Sequence, residues 1–236
     1  KKISMATTVS GNANTFSSSE IDDLRRQPFA ARVGRFSSVE YKVEAQMGIE
    51  GQTILNSEIF IESVPDEFID VPLKDWAYTA GNNVVPVILP RSYINMYNFG
   101  FAQSHSLPKI SDGLVSMIDF RIFAHSGAGM KEFKGKVIGF SNRLNTILVP
   151  QAFMEWSNGV LADGRESAPN RLLLEVGNPA DENITAYLDQ HGYEVETDRL
   201  DAEKTTYFLR MVVTIVMLIG AVISVLSFYM LMLSVY

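Results

Sequence analysis

The hydrophobic pattern separates residues 211–236 from the rest of the chain. Over the first 200 residues, apolar positions alternate with polar ones and are interrupted by Gly and Pro, whereas residues 211–236 contain no charged residue, Asn, Gln or Pro. A helix of about 20 apolar residues crosses the hydrocarbon core of a bilayer. Soluble helices rarely stay apolar on every side over about seven turns. Residues 211–236 therefore predict a transmembrane helix.

This predicted helix extends backwards into a polar stalk. Asp198 or Asp201 can cap its N-terminus, and Ala202 begins a run of good helix formers. A helix over residues 201–236 would be about 54 Å long, of which the hydrocarbon core takes about 30 Å. The sequence therefore predicts a stalk and transmembrane helix over residues 201–236, with the stalk standing above the membrane.

Three residues just before the apolar run are candidates for the membrane interface. They are Lys204, Tyr207 and Arg210. Lys and Arg extend their charged ends to lipid head groups, and the amphipathic ring of Tyr is enriched at the same level. We therefore expect these side chains to mark the point at which the helix enters the bilayer.

Three small residues inside the apolar run are candidates for helix packing. Gly220, Ser224 and Ser227 are spaced by four and three residues, so they share one helical face. Small residues on one face let a neighbouring transmembrane helix approach closely. The pattern therefore predicts where a second helix would pack.

Alternation of apolar and polar residues predicts strands in the part that precedes the stalk. Residues 31–47 and 53–64 are separated by a Gly-containing turn, which predicts an antiparallel hairpin. A Gly-rich turn at residues 127–129 likewise separates two strands. The remaining predicted strands are residues 3–9, 84–90, 114–123, 131–140, 146–149, 171–176 and 194–197.

Short helices are predicted between these strands. A Ser at positions 17–19 can cap a helix in which Ile21 and Leu24 face inward, and Pro90 and Pro150 each open a further helix. Because strands and helices are mixed without a strict βαβ repeat, the predicted fold class is α+β. The predicted helices are residues 20–26, 91–99, 150–156 and 178–190, and the predicted loops are 100–112 and 157–170.

Composition and charge exclude several function classes. The chain has 236 residues, and its 27 acidic against 20 basic residues leave a net charge of -7, whereas a nucleic-acid interface needs a surplus of Lys and Arg. It has no Cys, which excludes disulfides, zinc–thiolate sites and thiol catalysis. The chain begins at Lys1 and ends within the apolar run, so we expect it to be an internal fragment of a longer protein.

No motif in the sequence predicts a catalytic, cofactor or metal site. His105, His125 and His191 have no ligand-like partner at helical or hairpin spacing. The stretch at residues 127–131 is Gly-rich and ends in Lys, but it lacks the Gly-Lys-Ser/Thr ending of a phosphate loop. Residues 139–143 lack the second Gly of a nucleophile elbow. The sequence therefore predicts no catalytic residues, no cofactor and no enzymatic activity in this chain.

Three segments together resemble a known family. They are Phe-Ser-Ser-Ser-Glu-Ile-Asp-Asp-Leu at residues 16–24, Val-Val-Pro-Val-Ile-Leu-Pro-Arg-Ser-Tyr at 84–93 followed by Tyr-Asn-Phe at 97–99, and Ile-Thr-Ala-Tyr-Leu-Asp-Gln-His-Gly-Tyr-Glu-Val at 184–195. In this order, before a long transmembrane helix, they resemble the extracytoplasmic domain and second transmembrane helix of an FtsX/MacB-type ABC transporter permease of Bacteroides-like bacteria.

The resemblance implies a layout for the whole protein. Residues 1–200 would be periplasmic, with one membrane helix before Lys1 and two more beyond Tyr236, in a multi-pass protein of the inner membrane. The periplasmic domain would have two lobes. Residues 1–82 and 168–200 would form a discontinuous membrane-proximal lobe, residues 83–167 an inserted β-rich lobe, and residues 201–236 the stalk and transmembrane helix.

The resemblance also implies partners and a mechanism. ATP would be hydrolysed by a separate ATPase subunit or domain, and the resulting motion of the membrane helices would be transmitted to the periplasmic domain. The expected partners are this ABC ATPase, a second permease chain in a homodimer or paired assembly, a periplasmic partner or lipoprotein cargo, and membrane lipid, but not nucleic acid. The expected outcome is export, lipoprotein handling or activation of a partner.

Two other function classes are compatible with a domain on a membrane helix. One is the extracytoplasmic sensor domain of a single-pass signalling receptor, which would be followed by a kinase or cyclase module. The other is a membrane-anchored hydrolase, for which the sequence contains no catalytic set. Two further hydrophobic spans after Tyr236 would favour the permease over both.

Overall fold

A computed structural model of the chain describes residues 15–49, 52–105, 109–111, 118–127, 129–162, 168–194 and 197–235. The chain forms two compact units. Among the described residues, the first unit comprises Ser19–Arg32 and the chain from Leu174 onward, and the second comprises Thr15–Ser18 and Val33–Leu173. The predicted strand at residues 3–9 lies outside the described residues.

The second unit is built on an eight-stranded mixed sheet. The strands are β2 (Ser37–Ser38), β3 (Lys42–Ile49), β4 (Gln52–Glu58), β5 (Ile61–Ser63), β6 (Val84–Pro90), β7 (Ile118–Ser126), β8 (Gly129–Ser141) and β9 (Ile147–Leu148). Their order in the sheet is β2-β5-β9-β6-β8-β7-β3-β4. Most neighbouring strands are antiparallel, whereas β6 runs parallel to β8 and β5 runs parallel to β9.

The two predicted hairpins are confirmed. Strands β3 and β4 pair antiparallel, with Ala45 opposite Ser57. Strands β7 and β8 pair antiparallel up to Ser126 opposite Gly129, around the predicted Gly turn, of which residue 128 lies outside the described residues. The long predicted strands are divided in the structure. Residues 31–47 supply most of a strand at Ala30–Arg35, all of β2 and most of β3, and residues 53–64 supply most of β4 and all of β5.

Strand β6 carries the core of the second unit on both of its faces. Val87 and Leu89 belong to one buried apolar cluster, and Ile88 belongs to another. All three side chains are fully buried. Successive residues of a strand point to opposite faces, so a strand covered on both sides reads as a continuous apolar run. This is the physical reason that residues 84–90 were predictable as a strand.

The helices of the second unit extend further than the sequence predicts. Residues 100–105 and 157–161 are predicted as loops, but a π-helical turn (Tyr97–Phe101) follows α2 (Arg91–Met96) and leads into α3 (Ala102–His105), and α4 (Gln151–Leu161) continues past Ser157. The polar residues that suggested a loop are bonded inside the fold. Asn158 donates its amide to the Ser38 carbonyl at 3.0 Å and accepts the Glu40 N–H at 3.1 Å.

The first unit combines short elements with one very long helix. Helix α1 (Ser18–Arg25) buries Ile21 and Leu24 as predicted. Strands β1 (Ala30–Arg35) and β10 (Leu172–Val176) pair in a two-stranded sheet, of which residues 30–32 and 174–176 belong to this unit, and α5 (Glu182–Gln190) and α6 (Thr197–Val235) follow. The prediction that α5 begins at Asn178 is wrong, because Asp181 is the N-cap and its side chain accepts the N–H of Asn183. The α+β class with a C-terminal transmembrane-type helix is confirmed.

The predicted lobes are cut at different residues from the two compact units. The sequence places boundaries at 82/83 and 167/168, whereas the units meet at 32/33 and 173/174. Strands β2 to β5, from before residue 83, share a sheet with β6 to β9. The layout in two lobes stays a prediction.

Candidate functional site

Helix α6 contains the candidate membrane span among the described residues. It spans Thr197–Val235, and its segment Lys204–Ser234 is long and apolar enough to cross a bilayer. The helix begins four residues before the stalk predicted from Asp201. No part of the most apolar stretch of this segment is buried within the chain, and large apolar residues such as Met217 and Leu231 are exposed. In a bilayer, this surface would face lipid or other helices.

The predicted helix-packing residues lie in the middle of this apolar segment. The Ser224 hydroxyl donates to the Gly220 carbonyl at 2.8 Å, and a Cβ added at Gly220 would meet open space. Because the hydroxyl is bonded within its own helix, Ser224 can lie in hydrocarbon without a partner from another helix. Packing of a second helix on Gly220, Ser224 and Ser227 stays a prediction.

The predicted interface residues lie at the opposite end of the segment from Ser234. Lys204 begins the apolar segment and Tyr207 and Arg210 follow on the next turns, with Tyr207 39 % exposed. Thr214, one turn further on, donates its hydroxyl to the Arg210 carbonyl at 2.8 Å. The positions of these three residues relative to a bilayer stay a prediction.

Tyr187 links helices α1 and α5 of the first unit by a hydrogen bond. The Tyr187 hydroxyl on α5 donates to an Asp23 carboxylate oxygen on α1 at 2.6 Å, and the ring of Phe29 meets the Tyr187 ring edge to face at 5.6 Å. Burial raises the pKa of Tyr187, and the neighbouring Asp23 carboxylate raises it further. His191 stacks on the same ring, with 4.1 Å between ring centroids. Because Tyr187 is held protonated, this group is suited to a structural hydrogen bond.

A partly buried ion pair lies in the second unit. The Glu62 side chain on β5 is only 6 % exposed and pairs with the guanidinium of Arg171, just before β10. Arg171 also stacks over the ring of Phe36, 4.5 Å from its centroid. Sequence reasoning missed this pair, since the two residues are 109 positions apart and neither belongs to a motif. The one local indication of this pair in the sequence is that an acidic residue, Glu62, directly follows Ile61 in a predicted strand.

An apolar cavity of about 330 Å³ opens beside α2 and α3. Most of its lining comes from the helical segment 91–105, and one wall is Met47 of β3. The lining offers apolar and aromatic surface with a few hydroxyl groups, which suits an apolar ligand or side chain. The lining residues are Met47, Tyr93, Met96, Tyr97, Gly100, Phe101 and Ser104.

The histidines singled out from the sequence lie in ordinary surroundings. His125 is the last residue but one of β7, with its Nε2 3.6 Å from a Glu44 carboxylate oxygen, and His191 caps α5 with its Nδ1 2.8 Å from the Tyr187 carbonyl oxygen. Within the described ranges, no group of three His, Cys, Asp or Glu side chains is arranged to hold a metal ion.

Family comparisons match the chain from end to end. Residues 1–198 match the family described as probable transporter periplasmic core domain, and residues 200–236 match the probable transporter C-terminal domain. The chain belongs to this transporter family. The boundary between the two matches, at residues 198–200, falls within the first turn of α6. The predicted resemblance to a transporter's periplasmic domain and following membrane helix is thus confirmed.

Solved structures of low similarity come from ABC-type transporters. The extracellular domain of the noncanonic ABC-type transporter YknZ from Gram-positive bacteria is 13 % identical, with 78 % of this chain and 88 % of that chain covered and a TM-score of 0.34. The periplasmic region of MacB from Actinobacillus actinomycetemcomitans is 9 % identical, with 86 % and 88 % covered and a TM-score of 0.38. No curated protein matches the chain. The family match, and not these structures, carries the assignment.

Proposed function

We propose that this chain is the periplasmic domain and second transmembrane helix of an ABC transporter permease. The observation that carries the proposal is the uninterrupted helix α6, which runs from the end of the periplasmic family match through the apolar segment Lys204–Ser234. The ABC type rests on the resemblance of residues 16–24, 84–93, 97–99 and 184–195 to FtsX/MacB-type permeases.

The mechanism in this proposal is transmission of motion along α6. Helices bend sharply at Pro, at Gly or Ser pairs, or where the hydrogen-bond ladder is interrupted. Between Thr197 and Ile219 the helix contains no Pro and no Gly. A tilt or shift of the membrane-spanning part is therefore carried to Thr197 as a rigid lever, and from there to the periplasmic domain.

The proposal includes partners that act outside this chain. An ATPase subunit or domain supplies the energy, and a second permease chain pairs with this one in the inner membrane. The periplasmic domain then acts on a periplasmic partner or lipoprotein cargo, and α6 is surrounded by lipid. The chain itself carries no catalysis in this scheme, because its role is to couple movement of the membrane helices to the periplasm.

A helix-breaking substitution in the stalk tests this mechanism. The full protein with its ATPase is placed in liposomes. Glu132, an exposed position of β8, is replaced by Cys and labelled with a fluorophore, and energy transfer to acceptor lipids reports the distance of β8 from the membrane. We expect ATP to change this transfer. Thr205→Pro, which costs a helix interior about 3 kcal/mol, should abolish the change while ATP hydrolysis continues.

Thr205→Ala is the matched control, because it alters the same position and keeps the helix. It should behave as the wild type does. A wild-type protein that binds no ATPase, or whose transfer signal ignores ATP, would overturn the proposed function. Co-purification of a kinase or cyclase module instead would favour the sensor.

A further inference from the structure

The covalent route from α6 to the eight-stranded sheet passes through one short segment. Along the chain, α6 follows α5, which follows β10, and β10 crosses into the second unit between Leu173 and Leu174. If α6 moves as a lever, its displacement arrives at this crossing. The residues that hold the crossing to the sheet therefore determine whether the sheet follows.

Arg171 lies two residues before the crossing and makes three contacts within the second unit. Its guanidinium pairs with the buried Glu62 carboxylate and lies 4.5 Å from the ring centroid of Phe36. Its backbone carbonyl accepts the N–H of Phe36 at 3.3 Å. We call Arg171, Glu62 and Phe36 the Arg171 clamp.

The clamp is anchored inside the sheet. Glu62 belongs to β5, which pairs with β2 through Ser38 and with β9 through Leu148. The Glu62 carbonyl also accepts the N–H of Val149 at 3.0 Å. A force on Arg171 is therefore passed to three strands, because β5 is held by hydrogen bonds on both sides.

The chemistry of the clamp requires arginine. Besides the guanidinium, the Glu62 carboxylate, whose side chain is 6 % exposed, accepts a long hydrogen bond from the Ser38 hydroxyl at 3.5 Å, so removing Arg171 would leave a buried charge poorly compensated. A planar guanidinium can pair with a carboxylate and stack on an aromatic ring at the same time, whereas the compact ammonium of Lys does not reproduce both contacts. Phe36 and Glu62 together select this shape.

A second Arg–Glu pair lies on the other side of the crossing. In the first unit, the Arg32 guanidinium is 2.5 Å from a Glu175 carboxylate oxygen. Arg32 ends the first-unit part of β1, and Glu175 lies one residue past the crossing in β10. Each unit therefore holds its own part of these strands with an Arg–Glu pair.

We infer that Arg171 is a positioning residue for transmission, which couples displacement of β10 to the eight-stranded sheet. This inference rests on the proposed function. Without the clamp, β10 and the chain that follows it would move with α6, but the eight-stranded sheet would not follow this displacement. The membrane side would still respond to ATP, but the periplasmic sheet would not.

Two label positions on either side of the crossing test the inference. In the full protein with its ATPase in liposomes, a fluorophore is attached to Cys introduced either at Gln190 of α5 or at Glu132 of β8, both exposed. Energy transfer to acceptor lipids is measured with and without ATP. In Arg171→Lys, we expect the ATP response at position 132 to fall at least threefold and the response at 190 to persist.

The matched control is Arg121→Lys. Arg121 resembles Arg171 in exposure, 42 % against 45 %, and it too pairs with a carboxylate, that of Asp119 at 3.6 Å. It differs in its position, because it lies on β7 away from the crossing. Both labels should respond in this variant as in the wild type. Glu62→Gln is a second test variant, for use if Arg171→Lys lowers the melting temperature. It removes the negative charge of the clamp, so that no unpaired carboxylate remains.

The outcomes separate the inference from the proposed function. The test uses whichever of the two variants has the melting temperature of the wild type. Loss of the ATP response at position 132 with a retained response at position 190 in that variant supports the inference. A response at 132 that falls less than threefold in such a variant overturns it. If neither label responds to ATP in the wild type, the proposed function fails before the clamp is tested.

Discussion

Gly135 illustrates how packing determines side-chain size at a single position. A Cβ added at Gly135 on β8 would overlap the ring of Phe120 on the paired strand, and Phe120 is only 1 % exposed. Overpacking a well-filled core typically costs 1–3 kcal/mol. We therefore expect Gly135→Ala to lower the free energy of unfolding by about 2 kcal/mol. Urea denaturation of the chain in detergent, followed by Trp fluorescence, measures this change.

Gly159 provides the matched comparison. It lies inside α4, where an added Cβ would meet nothing within 4 Å. Ala at such a site reduces the entropy of the unfolded chain, and the expected effect of Gly159→Ala is a gain of about 0.4–1 kcal/mol. Equal stabilities of the two variants would show that the Gly135–Phe120 approach does not limit packing.

Tyr41 makes stability depend on alkaline pH. Burial raises its pKa to about 12, against a hydrogen bond to Ser157 that lowers it and a smaller increase from Tyr78. The unfolded tyrosine ionises near pH 10, so this contribution is complete below pH 10 and is lost as the pH rises to about 12. The shift corresponds to about 3 kcal/mol.

The variant Tyr41→Phe has no phenolic proton to lose. Its free energy of unfolding should therefore fall less than that of the wild type between pH 9.5 and 12, measured by urea denaturation at fixed pH values. Tyr207→Phe, at an exposed position of α6, serves as the control. Parallel pH profiles for the wild type and Tyr41→Phe would contradict the role of burial at this site.

Single elements were predictable where one local pattern dominates. The strand over residues 84–90 has the predicted bounds because it is buried on both faces, and the inward Ile21 and Leu24 of α1 follow helical spacing. The helices at 100–105 and 157–161 were missed because Gly100, Ser157 and Asn158 resemble loop residues. Gly100 instead lies in a π-helical turn, and Ser157 and Asn158 are bonded within the fold.

The predicted packing face of α6 is testable at the level of the element. If a neighbouring helix packs on Gly220, replacing it by Leu removes the close approach that small residues permit. We expect Gly220→Leu to reduce association with the partner permease chain at least fivefold, measured by energy transfer between labelled chains in bilayers. Association that is unchanged would mean that Gly220 faces lipid.

Val222→Leu is the control for this substitution. Two residues along a helix turn the side chain by about 200°, so Val222 points away from the Gly220 face. The variant adds bulk at the same depth of the apolar segment without altering the small-residue face. It should associate as the wild type does.

At the scale of the whole molecule, strand order lies beyond local patterns. Strands β6 and β8 are neighbours and run parallel, although α2, α3 and β7 come between them in the chain. The short strands β2, β5 and β9 complete the sheet with two or three residues each. Elements this short have no usable periodicity of their own, because their partners and not their sequence hold them extended.

The local sequence was sufficient for the membrane-type helix, the hairpins and the mixed α+β class, because continuous apolarity, strand alternation and turn residues act over a few neighbouring positions. The division into units at 32/33 and 173/174 and the pairing of Glu62 with Arg171 depended on the tertiary structure. A charged residue in a strand becomes a buried ion pair only when packing removes its water and brings a distant partner to it. Local periodicity carries no information about that partner.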